Sequence, residues 1–372
     1  MIERMRVVRS AAAAGLLALA LTAFSARADV TVDIVGALSG AGAFHSVRGF
    51  EFAVDSVNAE GGLLGQKLKA AFFDDGCNAD QGEAAARRAL DEHPALIVGH
   101  NCSAPSIRAA PLYARAGVVQ ISTQSTNTAL TEMNIGSVFR LIGRDERQGG
   151  SAAALIARRW PGARIAVIDD GEPYGKGLAG NLQKALVASG IRPQLTRSFT
   201  PGAASYGEVV GLLARNKIAV LYIAGYSEDV GLLLHQIRAA GLSLQVLSGD
   251  TGGSETVRLA AGPAVEGLMY SSPRDPKRYP AVPALLARAR AKGVELDDYA
   301  VVNFAAVEAW AQAVRQAGSF DADKVAEALH RGHFETVIGE VAFDDKGDVV
   351  GPPSDWVWYR WHDGTPEPDS GR

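Results

Sequence analysis

The chain has 372 residues, 47% of them apolar and 21% charged, with a formal net charge of −4. This is a globular composition with enough apolar mass for two cores, since an ordinary domain runs to about 150 residues. A net-acidic chain argues against a nucleic-acid or anionic-membrane partner.

At the N-terminus, Arg4, Arg6 and Arg9 precede an apolar run over 11–24, followed by Ala26-Arg27-Ala28. This is the pattern of a secretory signal peptide over 1–28, cleaved after Ala28. The apolar run is shorter than the roughly 20 residues a membrane span needs. No cysteine follows it to carry a lipid anchor. Removing 1–28 takes four of 37 basic and one of 41 acidic residues, leaving −7 on a mature chain that begins at Asp29. The expected location is the periplasm.

Beyond Asp29, short apolar runs predict strands over 30–38, 68–75, 95–100, 117–122, 163–170, 218–225, 244–250 and 265–272. Between them, 50–62, 81–92, 104–117, 178–190 and 227–241 place apolar residues at three- and four-residue spacing, and most end at glycine, as helices do. Buried strands alternating with helices give an α/β fold of two doubly wound parallel-sheet lobes, four strands to each, with a ligand cleft between them. The prolines and charges after residue 271 suggest a crossing between lobes. Two more helices and an aromatic strand over 355–361 follow. The predicted division is 29–144 with 274–345 for the N-terminal lobe and 145–273 with 346–364 for the C-terminal lobe. Residues 365–372, polar and proline-bearing, are expected to be a flexible tail. No internal repeat is visible.

Cys77 and Cys102 are the only cysteines, and each follows an apolar run. In an oxidising compartment a pair 25 apart favours a disulfide. Two buried thiols are the alternative, and zinc lacks ligands with only His100 nearby. Gly175 to Gly180 read GKGLAG, a match to the dinucleotide fingerprint, but Gly171 to Tyr174 intervene between strand and helix where the motif turns directly. Glycines easing a helix start against the cleft is the better reading. His330 and His333, three apart near a helix end, suggest a solvated face. No nucleophile is assembled with a base, and no cofactor or metal is expected.

What remains are hydroxyls, tyrosines and one carboxylate at strand-to-helix turns. The segments DIVGALSG, VDSVNAEGGLLGQKL, FFDDGCNADQ, LIVGHNCS, PYGKGLA, AGYSEDVGLLLHQIRAAGL and FDDKGDVVG, in order from about residue 31 to 364, resemble the periplasmic leucine/isoleucine/valine-binding proteins, the type I ABC-transporter receptors for branched-chain amino acids. The resemblance implies a type I periplasmic binding protein in which Ser103 and Thr126 hold a ligand α-carboxylate. Gln124 and Ser125 share the turn with Thr126. Tyr174 and Tyr226 would line the cleft from the second lobe, and Tyr299 would pack beside the ligand side chain. Where the family carries a glutamate for the ligand ammonium, this chain has Asp250, one methylene shorter. Gln124 replaces a small residue, and the shortened loop after Gly40 leaves Phe44 or His45 near an expected aromatic.

The function so implied is a non-enzymatic, monomeric receptor that takes an α-amino acid or related carboxylate to an ABC-transporter membrane permease. The alternatives are the same fold binding an aromatic acid, amide or other small carboxylate, or acting as a sensor subunit. An enzyme is the remotest reading.

Overall fold

The computed structural model describes residues 29–39 and 43–369, except for the side chains of 43–46. The signal segment 1–28 and the Phe44 and His45 side chains therefore lie outside the described residues. The first lobe is built from β1 (Val30–Gly36), α1 (Ala43–Ala59), β2 (Leu68–Asp74), α2 (Ala79–Asp91), β3 (Leu96–Gly99), α3 (Ser103–Arg115), β4 (Val119–Ser122), the single turn α4 (Ala129–Glu132) and β5 (Val138–Arg140). Its sheet is wholly parallel, in the order β2-β1-β3-β4-β5. β3 and β4 are buried at every position. Helices cover both faces, which is why these strands read as continuous apolar runs.

The chain then enters α5 (Asp145–Arg159), β6 (Ile165–Asp169), α6 (Pro173–Ala188), β7 (Leu195–Ser198), α7 (Gly207–Arg215), β8 (Val220–Ala224) and α8 (Ser227–Ala239). β9 (Gln245–Ser248), a 3-10 turn at Asp250–Gly253, α9 (Glu255–Ala261) and β10 (Met269–Pro273) follow. It returns through α10 (Val282–Ala291), α11 (Asp298–Ala317), α12 (Ala322–Arg331) and a hairpin of β11 (Phe334–Thr336) and β12 (Gly339–Val341), then ends in β13 (Trp356–His362) and β14 (Thr365–Pro368). The second sheet runs β14-β13-β10-β9-β8-β6-β7. Its β7-β6-β8-β9-β10 portion repeats the connectivity of the first lobe, a structural repeat with no counterpart visible in the sequence.

The returning helices complete the first lobe's core, where residues of α1, β1 and β3 pack with Val282, Phe304, Trp310 and Val341. α11 is held at both ends: Asp297 accepts a hydrogen bond from Ala300 N at 2.7 Å, and Gly318 stops the helix at φ +59°. Gly49 lets α1 lie against it, because a Cβ there would sit 2.4 Å from Ala300 Cβ.

Three expectations need correction. β5 and β7 were not expected, so each parallel array has five strands rather than four. The segment after residue 345 stays with the first lobe through Val349: Arg140 N donates to the Gly347 carbonyl at 2.8 Å and Val349 N to that of Arg140 at 2.9 Å. The passage into the second lobe therefore falls between Val349 and β13. Finally, 365–368 is not a loose tail but an edge strand antiparallel to β13. Asp363 and Gly364, at φ +47° and +70°, make the tight turn that aligns the two strands. Asp369 then pairs with Arg159 at 2.7 Å.

Candidate ligand-binding cleft

In open parallel sheets the ligand region lies beyond the carboxyl ends of the strands, and in the first lobe those ends are tied together by a buried polar network. The disulfide Cys77–Cys102, with Cα atoms 5.4 Å apart, links the turn after β2 to the turn after β3. The His100 carbonyl accepts hydroxyls of Ser106 at 3.1 Å, Ser122 at 2.8 Å and Ser125 at 3.1 Å. Its imidazole is fixed between Asp75 Oδ2 at 2.6 Å and the Tyr113 hydroxyl at 2.9 Å. This stitching sets the start of α3 beside the turn after β4. Ser103 opens α3, and its Oγ accepts from Asn127 N at 3.4 Å. A helix start of this kind suits an anion, although Pro105 supplies no N–H and Ser106 N already bonds the Cys102 carbonyl at 3.2 Å.

The second lobe brings the starts of α6 and α8 against this surface. Asn127 Nδ2 donates across the gap to the Pro173 carbonyl at 2.5 Å. The Tyr174 and Tyr226 rings lie 5.2 Å apart, and the main-chain N–H of Ser103 faces the Tyr226 hydroxyl. Gly177 permits the approach, since a Cβ there would come within 2.4 Å of Asn127 Nδ2. That agrees with reading the glycine run as a close-packing device.

Asp250 sits at the end of β9 in the 3-10 turn. Its Oδ1 accepts the Tyr174 hydroxyl at 2.8 Å and Gln148 Nε2 at 3.1 Å, and the same Gln148 amide reaches Ser271 Oγ at 3.1 Å. Burial raises the Asp250 carboxyl above its ordinary range, against these two hydrogen bonds that pull it down. Burial likewise pushes the Tyr174, Tyr226 and Tyr299 hydroxyls upward, so they remain protonated donors. Asp250 and Tyr299 line an inter-lobe cavity of about 370 Å³ together with Thr123, Leu141, Ile142 and Tyr270. At its outer end Lys277 pairs with Asp298 at 3.1 Å.

Of the residues expected from sequence, Asp250 and Tyr299 border the cavity, while Ser103, Thr126, Tyr174 and Tyr226 gather where the lobes meet. Gln124 is half-buried, with its Nε2 unpartnered. Ser125 turns inward: its hydroxyl lies 2.5 Å from Ser106 Oγ, so it braces the lobe instead of facing the cleft. His330 and His333 have separate partners, backbone carbonyls for one and Glu340 for the other.

Sequence reasoning missed Gln148 and Asp145. Asp145 is fully buried at the start of α5, with neither oxygen in a hydrogen bond of full geometry, and burial, opposed by the nearby Thr126 hydroxyl, pushes its carboxyl up to about 7. Two acidic residues opening a helix read as ordinary dipole partners, which hid the one that faces inward.

Two lobes of matching topology, meeting over a cavity bordered by the buried carboxylate of Asp250 and by Tyr299, define a bilobal receptor for a small molecule. The Periplasmic binding protein family model matches residues 30–365, and the chain belongs to that family. It is 35% identical over 356 residues to the Leu/Ile/Val-binding protein homolog 1 of Brucella suis, covering 94% of this chain and 95% of the relative. A Desulfitobacterium hafniense ABC transporter substrate-binding protein solved in complex with Leu is 26% identical, with a TM-score of 0.76 over 91% of this chain and 99% of that one. A leucine binding protein from Thermotoga maritima shares the fold, with a TM-score of 0.82 at 23% identity, over 92% of this chain and 98% of that one.

Proposed function

We propose that this protein is a periplasmic receptor that captures an α-amino acid, branched-chain or closely related, between its lobes. It releases the ligand chemically unchanged to the membrane permease of an ABC importer. The observation that carries this reading is Asp250. A buried carboxylate with one oxygen held by Tyr174 and Gln148 leaves its second oxygen for a cation, and the cavity it borders is of small-molecule size. The relative named for leucine, isoleucine and valine and the neighbour solved with Leu support an amino acid as the source of that cation. Ser103 and the start of α3 would take the carboxylate, and Thr126 would join them. Export through the N-terminal signal segment accords with the family and with the disulfide.

A thermal-shift screen over the common α-amino acids, with benzoate and phenylacetate as deaminated controls, tests the reading. A ligand at 100 times its dissociation constant stabilises the folded state by about 2.7 kcal/mol. Stabilisation by one or a few amino acids is expected. Stabilisation by the aromatic carboxylates alone would favour the second reading, to which Tyr270, Tyr279, Tyr299 and Tyr359 around the cavity lend aromatic surface.

A further inference from the structure

Asp145 is the least satisfied acid near the cleft. It has no exposed surface, neither Oδ1 nor Oδ2 makes a hydrogen bond of full geometry, and only the neighbouring Thr126 hydroxyl lies near enough to act on the carboxyl; Gln148 Oε1 on the same helix is also unpartnered. The nearby cation Arg140, on β5, is engaged elsewhere. Its Nε donates to Asp348 Oδ1 at 2.7 Å, one terminal nitrogen to the Asn127 carbonyl at 2.6 Å, and the other to Thr131 Oγ1 at 2.6 Å. The other titratable groups facing Asp145 are Asp250 from the 3-10 turn, Tyr174 from α6, Tyr222 from β8 and Glu146 on its own helix. Glu146 is paired with Arg144 at 2.7 Å. α6 closes the remaining side, where a Cβ on Gly177 would lie 3.1 Å from Asp145 Oδ2.

Asp250 thus borders the cavity while Asp145 lies buried behind it, close enough for the charge of one to act on the other, and the donors of Arg140 are directed to other partners. An ionised carboxylate buried without a counter-ion is costly enough that the group takes up a proton instead. We propose that Asp145 carries a proton while the cleft is empty and loses it to solvent when a ligand ammonium enters beside Asp250. The inference rests on the amino-acid reading above. The proton passes to buffer, the ligand keeps its ammonium, and no covalent bond in the ligand changes. Burial first, then the Asp250 charge, holds the Asp145 carboxyl near 7, against the opposing effects of Thr126 and Arg140. An arriving cation lowers that value. Below about pH 7 binding must therefore displace a proton, and affinity should fall about tenfold for each pH unit. Above it the affinity should level off.

Calorimetric titration of the mature protein with L-leucine, from about pH 5 to about pH 8, reads this directly. The carboxyl and amino groups of free leucine titrate outside that window. Near neutrality the apparent enthalpy should depend on the ionisation enthalpy of the buffer, with close to one proton released per leucine at the acid end. Asp145→Asn should abolish both the pH slope and the buffer dependence. The variant should bind more weakly than wild type at the alkaline end, with the difference narrowing about tenfold for each pH unit toward the acid end. Wild-type binding that is independent of pH and buffer overturns the proposal, and so does a variant weakened equally at every pH, which would mark a structural role. Should the variant fail to fold, the wild-type buffer series decides alone. Absence of any leucine heat at any pH would instead defeat the amino-acid reading itself.

Discussion

Asp250→Asn separates the binding role of this residue from any role in folding. The asparagine carbonyl can still accept the Tyr174 hydroxyl and the Gln148 amide, which reach a single oxygen at 2.8 and 3.1 Å. The exchange therefore falls on the other atom, where an NH2 donor replaces the carboxylate oxygen left for the ligand. A bound ammonium would then lose its counter-ion and meet a donor instead. Removing one partner of a buried charge pair costs about 2 to 5 kcal/mol, which is tens- to thousands-fold in affinity at about 1.4 kcal/mol per tenfold. The empty protein should lose nothing, because the substitution removes a carboxylate whose ionised form burial disfavours, beside Asp145. Its midpoint of thermal unfolding should equal or exceed that of wild type. Calorimetry with the best amino acid from the screen gives the first quantity and scanning calorimetry the second. An Asp250→Asn protein that binds the amino acid as tightly as wild type refutes the assignment, and one that binds a deaminated analogue better than wild type does supports the carboxylate receptor instead.

Further tests address the frame around the site. Asp348→Asn should destabilise the fold by about 3 to 5 kcal/mol in urea titrations, since it leaves the buried Arg140 without its charge partner. Burial acts to raise the Asp348 carboxyl, but Arg140 and Arg144 together hold it below its ordinary value. Its contribution should thus be complete above about pH 4 and be lost as pH falls through the lowered range; a wild-type midpoint that does not fall on acidification would count against it. Thiol labelling of denatured, unreduced protein should find no free cysteine, and reduction should cost about 3 to 4 kcal/mol for a loop of this length; two labels per chain would deny the bridge. Small-angle scattering should show a smaller radius of gyration with saturating amino acid, and superimposable curves would mean a rigid receptor.

How legible the protein was in its sequence depended on how local each cause was. The strands that carry Ser103, Thr126 and Asp250 announce themselves as short apolar runs, because burial on both faces leaves no other composition possible. β5 does not. Three residues long, Val138-Phe139-Arg140, it is interrupted by a charge before any run builds up, and the acid that pairs with the arginine lies 208 positions away. β7 is an exposed edge strand with no apolar run to betray it. The β14 turn was legible after all, because Asp363-Gly364 is a strong hairpin signal, yet proline-bearing flanks drew attention away from it. Within the cleft, residue type gave the hydroxyls and the carboxylate but not their directions. Ser125 and Thr126 are adjacent, and only the fold decides which one braces the lobe.

The first lobe is discontinuous: its core combines strands before residue 141 with helices and strands from Val282 to Val349. During synthesis or membrane passage from the N-terminus, this lobe lacks its longest helix, α11, and the Asp348 partner of Arg140 until almost the whole chain has appeared. The parallel array of the second lobe, by contrast, is continuous from β6 to β10. Vectorial appearance would therefore favour nucleation of the second lobe first, reversing the usual order in which N-terminal units fold. The unfinished half would stay open until late, a delay that would suit passage of an unfolded polypeptide across a membrane.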